Sequence, residues 1–214
     1  MNDVQIRDLE ETDVPALKAL VAEAFGTGWN LRRYRQNRDL LQALLDVYLS
    51  IFLEPATFGR VAVLDGEVVG VAAVSVKGEP AKFRPLQTNI APNTLTLLTA
   101  AEADRTDITE HIAVSFQAIG GLLANRIDTY GGGLELLIVS ERAQGLHIGK
   151  TLWEEASAYF KSKDAKHIYL IADSACNVGF YDHNGFIRTA AQEAVYNYTT
   201  GQRKSTVFVY EYQF

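Results

Sequence analysis

The sequence predicts one domain of the α/β class, in which helices flank a mixed sheet. Strand-like and helix-like segments alternate along the whole chain. Near residue 134 a nearly continuous apolar run, suited to a buried strand, leads into a helix and then into further strands. A chain of 214 residues with 48% hydrophobic residues can bury a sizeable core, so we expect a single domain over 1–214.

The first part of the chain predicts a strand, two helices and a hairpin. Loose alternation predicts a strand at 4–9, and Leu17, Leu20 and Val21 begin a helical repeat that glycines 26 and 28 end. A second helix is predicted over 31–52, and its arginine-rich start is interpreted as a solvated face. Strands at 59–64 and 68–76 flank a turn at Asp65-Gly66.

The second part contains an insert and the remaining strands. Residues 77–130 are interpreted as a helical insert between the third and fourth strands, although Gly120-Gly121 disfavours one continuous helix there. After the strand at 134–139, we expect a helix at 149–163, a strand at 167–172 and a short helix at 178–182. Strands at 186–198 and 205–212 complete the chain.

Composition excludes several classes of function. The net charge of -6 gives no basic field for nucleic acid, and no apolar run is long enough for a membrane helix. The N-terminus has no signal-peptide pattern, and a single cysteine, Cys176, permits no internal disulfide. The four histidines lack the spacing of metal ligands. We expect a cytoplasmic protein with no metal, nucleic acid or membrane as partner.

The junction between the strand at 134–139 and the following helix has the chemistry of an anion site. The first N–H groups of a helix have no partner within the helix, and their dipoles favour a negative charge. Gly145 and Gly149 let the backbone approach a ligand closely, and Arg142 and Lys150 can add positive charge. Two alternatives remain at this point. One is a turn with no ligand, and the other is a nucleotide site, because Gly149-Lys150-Thr151 matches the tail of a Walker loop that lacks its first glycine.

Two motifs in this region resemble those of one known family. Residues 144–149, Gln-Gly-Leu-His-Ile-Gly, resemble the pattern Gln/Arg-x-x-Gly-x-Gly/Ala, with His147 where the family usually has glycine. Residues 180–186 resemble its Phe-Tyr-x-x-x-Gly-Phe element. The chain is therefore similar to the GNAT superfamily of N-acetyltransferases, and only 77–130 lies outside the resemblance.

The resemblance implies a fold and a co-substrate. The expected fold is a mostly antiparallel, twisted central sheet whose middle strands splay apart, and the expected co-substrate is acetyl-CoA. The pantetheine arm would lie in the gap between the splayed strands, near the backbone of 138 and 139. The residues implied in binding the coenzyme are Ile138, Val139, Gln144, Gly145, Leu146, His147, Ile148, Gly149, Lys150, Thr151 and Asn177.

The same resemblance implies transfer of an acetyl group to a primary amine. Tyr181 would protonate the departing thiolate, and the N–H of Val139 would hold the tetrahedral oxyanion. Glu135, a carboxylate in an apolar strand, is the candidate base, on the same face as Val139, and burial would raise its pKa. A water chain can replace it, and a glutamate facing solvent or bonded to the turn at 131–133 is the structural alternative. A non-catalytic acyl-CoA sensor is the alternative function.

The acceptor is expected opposite the coenzyme. In the family it enters between the first two helices and the last strands, which here means residues 26–30 and Tyr34, facing Tyr196 and Tyr198. The insert can add a wall, and its acidic residues either attract a cationic amine or form a solvated face. A small amine and a peptide amine are equally compatible, as is a homodimer. Ser174 or Asn177 is expected to cap the short helix.

Overall fold

A seven-stranded sheet forms the centre of the molecule, in the order β1-β2-β3-β4-β5-β7-β6. The computed structural model describes residues 4–26, 28–29, 31–83 and 90–214, with the backbone alone at 90 and 91. All neighbouring strands are antiparallel except β4 and β5, so the predicted mixed sheet is confirmed. The strands are β1 (Val4–Asp8), β2 (Phe58–Leu64), β3 (Glu67–Val76), β4 (Gly132–Val139), β5 (His167–Asp173), β6 (Ile187–Tyr198) and β7 (Gly201–Gln213).

The middle of the sheet is split. The parallel pair β4 and β5 is joined only where Gly132 faces Ile168 and Gly133 faces Tyr169. Beyond this point β4 continues to Val139 and β5 continues to Asp173 without pairing with each other. The two strands therefore enclose a V-shaped gap that opens towards their carboxyl ends, as the resemblance implied.

Helices cover both faces of this sheet. Leucines of α1 and α2 pack with Leu136 and Ile138 of β4 on one face. On the other face α5 packs against β3, β4 and β5 through Leu152, Trp153 and Phe160. The helices are α1 (Val14–Phe25), α2 (Arg38–Leu53), α3 (Ile90–Leu98), α4 (Glu102–Leu123), α5 (Ile148–Ser162) and α6 (Gly179–His183). Within the described residues no helix is both long and apolar enough to cross a membrane.

The second helix begins later than the sequence predicts. Residues 31–34 form a separate 3-10 turn, and α2 starts at Arg38. The side chain of Asn37 accepts a hydrogen bond from the N–H of Leu40 at 3.2 Å. This cap satisfies one of the free donors at the helix start, which ends the preceding turn and sets the boundary.

The insert contains two helices, α3 and α4, and α4 runs without a break through Gly120-Gly121. Each glycine costs a helix roughly 0.5–1 kcal/mol relative to alanine. Packing offsets this cost, because Ala118 is buried against Ala194 and Tyr196 of β6. A Cβ at Gly121 would lie 3.1 Å from the side chain of Gln192, so the missing side chain lets α4 approach the sheet.

Candidate active site

The loop that joins β4 to α5 reverses direction through two left-handed residues. Gly145 has φ +81° and His147 has φ +58°. The left-handed region costs an L-residue roughly 1–2 kcal/mol, whereas glycine adopts it freely. This conformation explains why the family usually has glycine at the position of His147. The exposed histidine adopts it at some cost in free energy.

The start of α5 presents a row of unpaired donors. In the described part of the chain, the backbone N–H groups of residues 145–150 donate to no protein acceptor. The first bond into the helix is made by Thr151, whose N–H donates to the carbonyl of His147 at 3.1 Å. The Thr151 hydroxyl donates to the same carbonyl at 3.3 Å, so both of its donors are engaged. These free donors lie at the N-terminus of α5, which is the positive end of the helix dipole. An anion bound there would accept their hydrogen bonds.

The two cations near this loop differ in their availability. Lys150 is largely exposed, and its ammonium lies 3.9 Å from Glu154 one turn further along α5. Such a surface pair is worth little, so Lys150 can turn to a bound anion. Arg142 instead forms an ion pair with Glu67 at the start of β3.

Successive residues of β4 point their backbone N–H and carbonyl groups alternately towards β3 and towards the gap. The N–H of Ser140 donates to the carbonyl of Val69 at 2.8 Å, one position beyond the paired Val139 and Gly70. Because hydrogen-bonded pairs alternate along an antiparallel ladder, Ile138 bonds to Val71. The N–H and carbonyl groups of Val139 consequently point into the gap, where β5 has separated.

A carboxylate from α1 holds the end of β4 in place. Glu23 accepts hydrogen bonds from the hydroxyl of Ser140 at 3.1 Å and from the N–H of Glu141 at 2.6 Å. Sequence reasoning did not find Glu23, because it appears there as one polar residue on an amphipathic helix. Its acceptor role depends on α1 packing beside the carboxyl end of β4.

Glu135 is the extra residue of a β-bulge. Leu134 faces Val74 and Leu136 faces Ala73, so Glu135 has no partner on β3. Side chains along a strand point alternately to the two faces of the sheet, and a bulge shifts this alternation by one residue.

The bulge places Glu135 on the face opposite α5. There its carboxylate accepts a hydrogen bond from Ser75 beside the ring of Tyr169. Leu137 and Val139 instead pack on the α5 side. The prediction that Glu135 and Val139 share a face is therefore wrong.

The carboxylate of Glu135 is partly buried, and within the described residues its side chain accepts one hydrogen bond. The hydroxyl of Ser75 donates to its Oε1 at 2.5 Å. Burial raises the pKa of Glu135 above its ordinary value, and the bond from Ser75 opposes that rise. A Cβ at Gly133 would lie 2.7 Å from the same oxygen, so the carboxylate uses the space that the glycine leaves.

Tyr181 lies on the α5 side of the sheet, in α6. Its ring contacts Phe180, Phe186 and Tyr210, with centroid distances of 5.6–5.7 Å. Its hydroxyl has no hydrogen-bond partner among the described residues. Burial raises the pKa of Tyr181, so the hydroxyl keeps its proton at neutral pH and has the form of an acid. Glu135 and Tyr181 therefore flank the split in the sheet from opposite faces.

The segment before α6 does not have the predicted cap. The N-cap residue of α6 is Val178, and no side chain caps the helix. Ser174 bonds to Ser205 at 3.0 Å and accepts from the N–H of Thr206, so the sheet engages its hydroxyl. The side chain of Asn177 makes no hydrogen bond within the described chain and is free for a ligand. Burial raises the pKa of Cys176 to about 12, which makes its thiol unreactive at neutral pH.

Aromatic side chains fill the region between α2, α4 and the end of β6. The structure brings Trp29, Tyr34 and Tyr198 together around His111 of α4, and residues 27 and 30 lie outside the described chain. The Nδ1 of His111 lies 2.7 Å from the hydroxyl of Tyr198, and burial lowers the pKa of His111 to about 4. The space left is a cavity of about 10 Å³, which holds one water molecule at most.

Two acidic residues of α4, Asp107 and Glu110, are bonded to the protein. Asp107 is 1% exposed and accepts from Arg33 and from the N–H of Thr199 at 2.6 Å. Glu110 accepts from the N–H of Asn197 at 2.7 Å. Asp107 is therefore not part of a solvated acidic face, and Arg33 is not part of a solvated basic one. Their pairing could not be read from the sequence, because 74 positions separate the two residues. No group of three or more potential metal ligands lies together within 4–26, 28–29, 31–83 and 90–214.

Comparisons with known proteins agree with this architecture. The sequence pattern of the acetyltransferase (GNAT) domain matches residues 97–202, which include the loop, both motifs and all of β6. No curated protein sequence matches the chain.

Solved structures share the fold at low sequence identity. One is named histone acetyltransferase HPA2 and related acetyltransferase, from Corynebacterium glutamicum. It is 18% identical over 98% of this chain and 96% of its own, with a TM-score of 0.58. The ribosomal-protein-S18-alanine N-acetyltransferase from Escherichia coli is 13% identical, with coverages of 99% and 96% and a TM-score of 0.55. An agmatine N-acetyltransferase is 12% identical over the full length of both chains, with a TM-score of 0.55. With its domain match, split sheet and two motifs, the chain belongs to the GNAT superfamily of N-acetyltransferases and is an acetyltransferase.

Proposed function

We propose that this enzyme binds acetyl-CoA at the start of α5 and transfers the acetyl group directly to a primary amine. The observation that carries the proposal is the row of unpaired N–H groups at residues 145–150, at the mouth of the gap between β4 and β5. A diphosphate has enough oxygens to accept several of these hydrogen bonds at once. Lys150 would add a charge in the same turn.

The gap would hold the pantetheine arm. Val139 directs its backbone N–H and carbonyl into the gap, and its carbonyl can accept a hydrogen bond from an amide of the arm, as in a strand pair. Asn177, with its side chain unbonded, would contact the arm from the opposite wall. This arrangement would place the thioester in the gap beside the N–H of Val139, between the two faces of the sheet on which Glu135 and Tyr181 lie.

The chemistry follows from the two side chains. Glu135, with its raised pKa, would take a proton from the ammonium form of the acceptor, directly or through water. The neutral nitrogen then attacks the acetyl carbon, and the Val139 N–H would donate to the developing oxyanion. When the carbon–sulfur bond breaks, Tyr181 would give its proton to the departing sulfur. The new amide nitrogen releases its second proton to solvent, and Tyr181 regains one.

Thermal unfolding in the presence of acetyl-CoA, CoA and ATP tests the binding step. A ligand at 100 times its Kd adds about 2.7 kcal/mol to the free energy of unfolding. We expect both forms of the coenzyme to stabilise the protein and ATP to leave it unchanged. Stabilisation by ATP alone would instead identify a nucleotide site that uses Gly149-Lys150-Thr151.

A panel of amines with detection of the free CoA thiol tests the transfer step. The panel should contain small primary amines, peptides with free N-termini and a lysine peptide. We expect at least one amine to accelerate thiol release. If acetyl-CoA binds tightly and every amine is inert, the protein is a sensor of acyl-CoA rather than a catalyst.

A further inference from the structure

An open cavity of about 260 Å³ lies on the face opposite α5, over the closed end of the gap. This volume is near the lower end of the range for small-molecule pockets, about 300 Å³. The residues after α4 form one wall and the end of β3 forms the other. The lining residues that matter here are Ser75, Lys77, Ile127, Asp128, Tyr130 and Tyr169.

The floor of this cavity adjoins Glu135. Ser75, which lines the cavity, donates its hydroxyl hydrogen to the Glu135 carboxylate at 2.5 Å. The ring of Tyr169, also in the lining, approaches the same carboxylate above Gly133. Gly132 lines the cavity too, and it forms one of the two pairs that join β4 to β5. The cavity therefore leads from the surface to the point where the two strands separate.

The described residues around His111, between the first helices and the last strands, leave less space. Aromatic side chains there surround the cavity of about 10 Å³ described above. Arg203 of β7 donates to the carbonyl of Gly28 at 2.7 Å. Arg33 pairs with Asp107, which in turn holds Thr199 at the β6–β7 turn. The 260 Å³ cavity is therefore the larger of these two spaces.

We propose that the acceptor is a small primary amine and that it enters through the 260 Å³ cavity. This inference rests on the proposed function. The ring of Tyr169, which packs on the buried Tyr130 with centroids 4.9 Å apart, lines the cavity and offers apolar surface to a compact acceptor. Glu135 beyond it would receive the ammonium proton. At the rim Lys77 lies 3.8 Å from the carboxylate of Asp128, so these two charges offset each other.

A variant that obstructs the 260 Å³ cavity tests this route of entry for the acceptor. Ile127 is 44% exposed, so Ile127→Trp places a large ring at the rim without disturbing the core. Ile187→Trp is the matched control, because Ile187 is 68% exposed on β6 and lies outside this cavity. We expect Ile127→Trp to raise the KM for the best amine at least about tenfold, equivalent to about 1.4 kcal/mol of lost binding. The Kd for acetyl-CoA should stay unchanged in both variants.

A comparison of acceptors tests the size limit. The parent should acetylate small primary amines faster than peptides, because the cavity has a volume of about 260 Å³. An unchanged KM in Ile127→Trp, or faster acetylation of peptides than of small amines by the parent, would overturn this inference and leave the acetyltransferase standing. If the parent acetylates no amine, the proposed function fails and the inference fails with it.

Discussion

The ring of Phe180 lies 3.3 Å from the position that a Cβ would occupy at Gly149. The methyl carbon of Val139 lies 3.6 Å from the same position. One glycine thus joins the end of β4, the start of α5 and the aromatic motif that carries Tyr181. The two sequence motifs form one structural unit because no side chain at residue 149 separates them.

Gly149→Val should weaken acetyl-CoA binding at least about tenfold, because the added side chain displaces Phe180 or the unpaired donors of the loop. Overpacking of this kind should also lower the free energy of unfolding by about 1–3 kcal/mol. Titration calorimetry measures the first effect and denaturant unfolding the second.

Gly120→Ala is the control for the glycine at 149. No atom lies within 4 Å of the Cβ position at Gly120, in the interior of α4. Alanine there should raise the free energy of unfolding by about 0.5–1 kcal/mol and leave coenzyme affinity unchanged. Equal coenzyme affinity in Gly149→Val and the parent would refute the role assigned to this corner.

Tyr181→Phe should lower kcat by about 10²–10⁴-fold if the hydroxyl is the general acid. Acetyl-CoA affinity and the free energy of unfolding should barely change, because this hydroxyl has no partner among the described residues. Tyr212→Phe is a matched control, since Tyr212 packs in the same aromatic cluster, 5.2 Å from Trp153 between ring centroids. Full activity in Tyr181→Phe, measured by steady-state thiol release, would assign proton donation to water.

The raised pKa of Glu135 predicts a specific pH dependence of activity. A base must be unprotonated, so kcat/KM should fall on acidification at a pH above the ordinary range of a glutamate. Glu135→Gln should remove this acidic limb and most of the rate near neutral pH. Glu193→Gln, at an exposed residue paired with Lys204, controls for the loss of a carboxylate. An unaltered pH profile in Glu135→Gln would show that water serves as the base.

The same shift in pKa affects stability. Between the ordinary pKa of glutamate and the raised pKa of Glu135, the folded state holds a proton that the unfolded state has lost. The free energy of unfolding therefore falls as pH rises through this interval. Glu135→Gln should lack the fall, which denaturant unfolding at a series of pH values would detect.

His111 should make the protein sensitive to acid. Burial lowers its pKa from 6.5 to about 4, so below pH 6.5 the unfolded state binds a proton that the folded state refuses. The free energy of unfolding should fall by about 3 kcal/mol between pH 6.5 and pH 4, at 1.36 kcal/mol per unit of pKa.

His111→Phe keeps an aromatic ring in the stack with Tyr196 and Tyr198 but cannot titrate. Its stability should change less over this pH range than that of the parent. His183→Gln, at an exposed histidine of α6, should retain the parental dependence. If the slopes of the parent and His111→Phe coincide, the acid sensitivity arises elsewhere.

Features that depend on neighbours in sequence were predictable. The apolar run of β4 and the helical repeat of α5 gave the order of elements, and Gly145 and Gly149 marked the loop where the backbone can approach a ligand. These features rest on backbone preferences and spacing within a few residues, which a single chain displays directly. The motif around Tyr181 was found by its resemblance to the GNAT superfamily.

Contacts between distant residues decided the rest. The bulge at Glu135 depends on the register of β4 against β3, and it moved the candidate base to the other face of the sheet. His111 and Asp107 lie in the packed space between α2, α4 and β6 because α4 packs across β6. The sequence alone determined which backbone segment offers unpaired donors to an anion, because the donors of a helix start are local. Only tertiary packing decided where an open cavity lies relative to Glu135, because space is set by all the elements together.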